Sequence, residues 1–299
     1  MDFRQIEAFI YVVRHKSFSK AADAIYITQP TVSAHISSLE NELGIKLIDR
    51  SSKEICPTAA GYIFFEYAQN LINIRDNAVF ALKDFTDKIE GNLEIAASTV
   101  PSQYIIPKLV FEFRQNFQNV NLNLVQMDTK QVIDELLYKK YEIGIVGSLI
   151  EHNKLIFEKL TDDKLVLITP NNKKYSTINK KTLPIDQIIN EQYIFRESGS
   201  GTRQVFEKFL AKANIEPKSI KIIAQINSLE AIKQAVSIGL GVSIASAKSV
   251  EDYSNNGMLK AFEIEEFPID REFYIVHHKN RPMSPITNAF KKFALEYYQ

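Results

Sequence analysis

The sequence predicts an α/β protein with a helical head, and three observations carry that reading. The first part of the chain repeats apolar residues at helical spacing and shows no strand-like run before Leu47. Residues 58–88 hold a single apolar seam at alternating spacings of three and four. From residue 91 onward, short apolar runs alternate with amphipathic segments to the C-terminus, the signature of a sheet of mostly parallel strands covered by helices. The expected order is a head over 1–57, a long helix over 58–88, and a domain over 91–299 made of two α/β lobes with a cleft.

In the head, Ile6, Phe9, Ile10 and Val13 fall on one helical face, and Lys16 to Ser19 break it. Ser17 or Ser19 can cap a second helix carrying Phe18, Ala21, Ala22 and Ile25. After the tight link Tyr26-Ile27-Thr28, Thr28 can cap a third helix. Pro30 then sits in its first turn, where a missing N–H costs nothing. Val32, Ile36, Leu39 and Leu43 share one side of that helix, and Gly44 ends it. Strand-like Leu47-Ile48 and Glu54-Ile55 flank polar Arg50 to Lys53, which predicts a small hairpin closed off by Pro57.

The long helix places Phe64, Tyr67, Leu71, Ile74, Ala78, Ala81 and Phe85 on one seam. A helix of this length, about 45 Å at the standard rise per residue, has more apolar face than a small head can cover. Pairing with the same helix of a second subunit is expected, against the alternative of packing on its own chain.

In the last domain, strands are expected at Leu93–Ala97, Asn121–Met127, Ile143–Val146, Leu165–Thr169, Tyr193–Phe195, Ile220–Ile226 and Val242–Ala245. Helices are expected at Pro101–Phe117, Thr129–Tyr138, Arg203–Ala213, Leu229–Ile238 and Met283–Tyr297.

Composition narrows the function. The chain has 45% hydrophobic and 24% charged residues, with only ten glycines and ten prolines, as in an ordinary globular protein. Thirty-six basic residues balance thirty-six acidic ones, which excludes a wholesale basic coat but not a local basic site. Cys56 is the only cysteine, so neither an internal disulfide nor a cysteine zinc site is available. The N-terminus does not read as a signal peptide, and no run of ~18 apolar residues occurs. A cytoplasmic protein with no membrane association is expected.

The third helix is informative on its other side. Pro30, Thr31, Ala34, Ser37, Ser38 and Asn41 are small or polar, and no acid stands in the N-terminal half to repel phosphate. Small residues let a helix enter a major groove about 12 Å wide. Gln29 can pair with an adenine edge, and Ser33 and His35 can reach phosphate or bases. The second and third helices form a helix-turn-helix at about 18–37, and Arg50 and Lys53 fit a wing that grips the backbone. The alternative is a plain three-helix core with a solvated polar face. Charge does not decide between them, since residues 1–57 hold seven basic and seven acidic side chains.

The run from Ser17 to Arg50 closely resembles the helix-turn-helix of LysR-type transcriptional regulators. Thr28-Gln29-Pro30-Thr31-Val32-Ser33, Leu39-Glu40, Leu43-Gly44 and Leu47 to Arg50 carry the likeness, with Pro57-Thr58 and Gly61 at the start of the long helix. The resemblance implies a winged helix-turn-helix, a dimerising linker helix and a periplasmic-binding-protein-like effector domain. It implies double-stranded DNA and a small-molecule effector as partners, a homodimer and commonly a tetramer, and it leaves room for contact with RNA polymerase. The DNA-contact residues would be Gln29, Pro30, Thr31, Ser33, Ala34, His35, Ser38, Arg50 and Lys53. The family often carries a larger polar residue where this chain has Ala34, which shifts base readout onto Gln29, Thr31 and His35.

Ser98, Thr99 and Ser102, the run Ser198 to Thr202, and Asn227-Ser228 each precede a helix. Helix N-termini at carboxyl ends of strands are anion sites, although each residue can equally be a simple cap. The resemblance implies an effector held between lobe one, about 91–161 and 267–299, and lobe two, about 162–266. The matching positions are Ser98, Thr99, Ser102, Thr129, Ser148, Ser198 and Thr202. A small oxyanion or short carboxylate is the expected class. Arg203 can meet ligand charge, but a partner acid on the surface is the plainer reading.

Asp162-Asp163 reads as a solvated turn and Gly239-Leu240-Gly241 as a helix-to-strand turn. His277-His278 lies in a strand, so its rings point apart and do not share a metal. No metal or cofactor is expected, and no nucleophile–base or phosphate-loop motif supports an enzyme. A cytoplasmic solute-binding protein without a DNA role is the rival reading.

Overall fold

The computed structural model describes residues 1–49, 55–83, 91–265 and 269–298. The chain divides into two compact units, Met1–Ile89 with Asn280–Asn288, and Glu90–Lys279 with Ala289–Gln299.

In the first unit, α1 (Phe3–His15) opens on a capping box between Asp2 and Gln5, and Lys16 closes it in the left-handed region at φ 50°. Ser17 caps α2 (Phe18–Ala24) by accepting from the Lys20 amide. Thr28 caps α3 (Gln29–Leu43), Pro30 lies in its first turn, and Gly44 ends it at φ 67°. Thr28 and Gly44 act as the sequence predicts, and of the two candidates Ser17 and Ser19 it is Ser17 that caps α2. The helices enclose Ile6, Phe9, Ile10, Val12, Ala21, Val32, Ile36 and Leu39.

Leu43 departs from expectation and is 40% exposed. It is the last helical residue, one step before the chain turns away at Gly44, and so overshoots the core. Glu40 is buried instead. Its carboxylate accepts from the Leu47 amide at 2.9 Å, the Ile48 amide at 3.1 Å and Lys46 Nζ at 2.9 Å. Burial pushes this carboxyl up, but the hydrogen bonds outweigh it and hold Glu40 below the usual carboxylate range.

The hairpin is present, with β1 (Ile48–Asp49) antiparallel to β2 (Cys56–Pro57). Its strands sit one to two residues later than predicted. Arg50 to Glu54 lie outside the described residues. α4 (Ala59–Lys83) follows and crosses close to the hairpin. A Cβ at Gly61 would stand 2.0 Å from the Leu47 carbonyl oxygen, so only glycine fits. Phe65 and Ala68 of α4 are buried in the head core, and Phe64 joins them with its ring 5.3 Å from Phe9. Tyr67, Leu71 and Ile74 of the predicted seam remain exposed, together with Tyr62 and Ile63. The helix therefore has one face for the head and another that its own unit leaves uncovered. Residues 84–88, including Phe85, lie outside the described residues.

The second unit alternates strands and helices as predicted, but its sheet is mixed rather than mostly parallel. Its first half holds β3 (Gly91–Ser98), a π-type turn at Pro101–Ile105, α5 (Ile106–Asn116), β4 (Val120–Met127), α6 (Thr129–Leu137) and β5 (Ile143–Val146). Its second half begins along β6 (Leu155–Pro170) and holds α7 (Lys173–Ser176), β7 (Thr182–Leu183), α8 (Ile185–Ile188), β8 (Gln192–Phe195), α9 (Gly201–Lys212) and β9 (Lys221–Gln225). It continues with α10 (Leu229–Ser237), β10 (Ser243–Ser246), α11 (Ala247–Asn255) and β11 (Leu259–Ile264). Then β12 (Ile269–His278) returns to the first half, and the last helix, α12 (Pro285–Tyr298), belongs to this unit from Ala289 onward.

The strand order is β4-β3-β5-β12-β6-β11-β7, with β10 also beside β6. Strands β3, β4 and β5 are parallel, as are β8 and β9. The long strands β6 and β12 run antiparallel to each other through both halves, and the ladder shifts register between Phe273 and Tyr274. Sequence reading caught only Leu165–Thr169 of β6, because Glu158, Lys159, Asp162, Asp163 and Lys164 interrupt its apolar pattern. Among the described residues, no helix is long and apolar enough to cross a membrane.

Candidate DNA-contact face and ligand pocket

On the head, α3 presents Gln29, Pro30, Thr31, Ala34 and Ser38 to solvent, with Ser33 and His35 half-buried. No acid stands in its first turn. The Thr31 hydroxyl lies 2.8 Å from that of Thr28, and Ser38 Oγ accepts from Gln5 Nε2 at 3.1 Å. Ser38 is thus tied to α1 on one side. Arg50 and Lys53, the expected wing cations, lie outside the described residues.

In the second unit, polar groups converge where strands end and helices begin. A pocket of about 10 Å³ is lined by Ser98 at the end of β3 and Thr99 after it, Asp128 and Thr129 at the start of α6, and Gly147 after β5. Arg196 after β8, Ser200, Gly201 and Thr202 at the start of α9, and Arg271 of β12 complete it. Such an opening is about the size of one water molecule. Thr129 is free to face the pocket because Asp128, not Thr129, caps α6 by accepting from the Gln131 amide at 2.8 Å.

Of the predicted effector residues, the structure brings together Ser98, Thr99, Thr129 and Thr202. Three do not line the pocket. Ser102 Oγ donates to the Thr99 carbonyl and to Gln126 Oε1 at 2.9 and 2.8 Å. Ser148 Oγ donates to Gln204 Oε1 at 3.2 Å. Ser198 is exposed, and Ser200, two residues on, is buried at the pocket instead.

Two guanidinium groups, neither among the predicted effector residues, complete the pocket's polar lining. Arg196 is buried and donates from Nη2 to Thr99 Oγ1 at 3.0 Å, across the two halves, while Nε and Nη2 hold the Glu197 carboxylate at 2.8 Å. Arg271 donates from Nε to Asp163 Oδ2 at 2.7 Å and from Nη1 to Thr202 Oγ1 at 3.0 Å. Arg271 Nη2 is buried with no hydrogen-bond partner. Burial pushes the Arg271 guanidinium down, Asp163 opposes that, and nearby Arg196 adds to it. Asp163 is therefore not part of a solvated turn. It is buried in β6 and also accepts from Ser246 Oγ at 2.8 Å, whereas its exposed neighbour Asp162 meets Lys159. A periodicity signal for Arg271 existed: Ile269, Arg271, Phe273 and Ile275 are the inward positions of β12.

Arg203 donates to Glu207 Oε1 at 2.7 Å, the surface pairing expected of it. A further contact across the halves joins Lys233 Nζ on α10 to the Tyr104 hydroxyl at 3.3 Å. A larger cavity of about 370 Å³ shares Gly147 and Arg271 with the pocket and is lined further by the predicted effector residue Ser148, by apolar Leu149, Val205, Phe209 and Ile269, by exposed Lys208 and Lys212, and by the carboxylates of Asp270 and Glu272. Two carboxylates line it and Arg196 does not, whereas the small pocket joins both buried guanidinium groups to five hydroxyls and is the better candidate on chemistry.

A helix-turn-helix head joined to an α/β domain with a polar pocket at its strand ends defines a DNA-binding regulator that answers to a small molecule. Residues 3–62 match the model for bacterial regulatory helix-turn-helix proteins of the lysR family, and residues 86–299 match the LysR substrate binding domain. The chain belongs to the LysR family of transcriptional regulators. It is 30% identical over 286 residues to the HTH-type transcriptional activator CmpR of Synechocystis sp., covering 96% of this chain and 92% of that protein. The regulatory domain of CcmR from Synechocystis PCC6803, solved in complex with 2-PG, aligns at 27% identity and TM-score 0.63, covering 70% of this chain and 98% of that one. A full-length OxyR variant from Pseudomonas aeruginosa shares the fold at TM-score 0.80 and 18% identity, covering 98% of this chain and 94% of that one.

Proposed function

We propose that the effector of this regulator is a small oxyanion or short carboxylate held between the two halves of the second unit. The carrying observation is the Arg271 guanidinium, buried beside Arg196 with one amino group unpartnered. A buried cation with unmet hydrogen-bonding capacity favours an anion, and the hydroxyls of Ser98, Thr99, Thr129, Ser200 and Thr202 add donors without formal charge. The Asp128 carboxylate, already engaged by the Gln131 amide, bounds the anion position on the α6 side. The complex of the CcmR regulatory domain with 2-PG supports a small ligand in such a domain. This reading assigns the pocket a binding role and no catalytic step.

On the head, Gln29, Thr31, Ser33, Ala34 and His35 face the major groove, Pro30 shapes the helix entry, and Ser38 lies at its margin. Arg50 and Lys53 grip the backbone on this reading, which for them rests on sequence. The exposed stripe of α4 pairs two copies into a dimer, two dimers form a tetramer on paired DNA sites, and RNA polymerase is a further partner in the cytoplasm.

The test is ligand stabilisation of the full-length protein. Phosphate, sulfate, nitrate and short carboxylates are screened by thermal shift, where a ligand at a hundredfold excess over its Kd adds about 2.7 kcal/mol. An anion-dependent shift that Arg196→Ala and Thr202→Val each reduce is expected. A shift with neutral sugars or aromatic compounds alone overturns the anion reading.

A further inference from the structure

We infer that Gly199 and Gly201 set how far the two halves of the ligand domain close, and so set the size of ligand the pocket retains. The inference rests on the pocket reading proposed above.

The geometry is one of backbone against side chain. A Cβ at Gly199 would stand 2.6 Å from Cγ, Oδ1 and Oδ2 of Asp128. A Cβ at Gly201 would stand 2.7 Å from Thr129 Oγ1 and 2.9 Å from Ser148 Oγ. Asp128, Thr129 and Ser148 belong to the first half, and the glycines to the loop and helix start of the second. Ordinary contact begins at 3.4 Å, so a methyl group at either position must gain about half an ångström or more. Asp128 is poorly placed to yield, because its carboxylate caps α6. Thr129 is buried too, and Ser148 is engaged by Gln204.

Neither glycine is demanded by its own backbone. The glycines with positive φ are Gly44, Gly91, Gly239 and Gly257, so alanine at 199 or 201 meets no left-handed strain. Gly201 opens α9, where alanine is the better helix former. What requires glycine at both positions is the approach of the other half.

At Gly199 that approach is fastened by a backbone hydrogen bond. The Lys130 amide, in the first turn of α6 and without an acceptor in its own helix, donates to the Gly199 carbonyl at 3.3 Å. Closure at this seam brings Arg196 and Thr202 of one half to Ser98 and Thr129 of the other, and leaves a pocket of about 10 Å³. A side chain in the seam holds the halves apart, removes two-sided contact with a small anion and admits a larger one.

The experiment uses full-length Gly199→Ala and Gly201→Ala, with Ser198→Ala as a control because that side chain is exposed. Hydrogen exchange is read first, without ligand. Both glycine variants should lose protection at the Lys130 amide and keep it at Ile95 to Ala97 of β3, while Ser198→Ala changes neither. Adding Thr129→Ala and Ser148→Ala to Gly201→Ala removes the hydroxyls it meets and should restore Lys130 protection. If a glycine variant loses the β3 protection as well, this combined variant decides. Titration with inorganic phosphate and sulfate should then show binding about ten- to hundredfold weaker in the glycine variants. Relative affinity should shift toward larger anions. Wild-type Lys130 protection and wild-type anion affinity in both glycine variants overturn the inference, as does failure of the combined variant to restore protection. A wild-type protein that binds no anion sinks the anion reading, while Lys130 exchange still decides the role of the glycines.

Discussion

Arg271 and Asp163 form an ion pair on neighbouring strands, Nε to Oδ2 at 2.7 Å, with side chains 3% and 0% exposed. The pair holds the guanidinium that forms one wall of the ligand pocket. Losing one partner of a buried pair costs about 3–5 kcal/mol, chiefly because the other charge is stranded.

Asp163→Asn should therefore lower stability to chemical denaturation while strengthening anion binding, since the guanidinium then has no competing carboxylate. Equilibrium unfolding and calorimetric titration with phosphate or sulfate read the two effects on one sample. Loss of both stability and affinity would mean that Asp163 chiefly orients Arg271.

Glu40→Ala should destabilise the head by about 1–3 kcal/mol, since it leaves the Leu47 and Ile48 amides buried without their acceptor. Glu40 holds its proton less tightly folded than unfolded. Its contribution is present above its ordinary pKa, near 4.5, and is lost as pH falls through the lower folded value. Denaturant midpoints from pH 6 to about 3 should fall less steeply in the variant.

His277 gives a second pH dependence. Burial and the charge of Lys291 push its pKa below 6.5, and Glu158, 3.2 Å away, opposes them without prevailing. The unfolded chain then binds this proton more readily than the folded one, so stability falls as pH drops below about 6.5. His277→Gln should flatten the midpoint curve between about pH 7 and 5. An unchanged curve would assign the loss to other groups.

The two faces of α4 separate by mutation. Leu71→Asp and Ile74→Asp should lower the oligomeric state in sedimentation with little effect on head stability, because both side chains are exposed in the single chain. Phe64→Ala should do the reverse and destabilise the head by about 2–4 kcal/mol, somewhat less than the ~3–5 kcal/mol of a fully buried aromatic because Phe64 is only partly buried. An unchanged oligomer in both Asp variants would remove α4 from the interface.

Gln29→Ala and Thr31→Ala should each weaken specific DNA binding by about 1–3 kcal/mol. Arg50→Ala should weaken specific and non-specific DNA alike and reduce the salt slope. Competition gel shifts at several salt concentrations distinguish the two patterns.

What the sequence displayed was whatever local chemistry decides. Ser17, Thr28, Pro30 and Gly44 act on backbone groups within a few residues of themselves, so their roles could be read directly. The long helix was legible as a heptad, but Phe64 packs on Phe9, a choice between two neighbouring apolar faces that a linear pattern leaves open. The pocket was half legible. Hydroxyls at helix starts announce themselves, whereas Arg196, Arg271 and Asp163 resemble surface charges until strands distant in sequence are laid together. Arg271 and Asp163 are 108 residues apart. Strand β6 was half missed for the same reason, because its charged residues face partners that the sequence does not name.

The register shift in the β6–β12 ladder has a mechanical consequence. Phe273 stands opposite Thr161 and Tyr274 opposite Lys159, so Leu160 has no counterpart. Both strands are continuous through the two halves, and relative rotation of the halves is therefore a change of twist along this pair. A one-residue bulge is where a ladder bends most readily. Leu160 is buried at that irregularity, where any such change of twist would concentrate. Substitutions there would alter how easily the domain changes posture while leaving every pocket contact chemically intact.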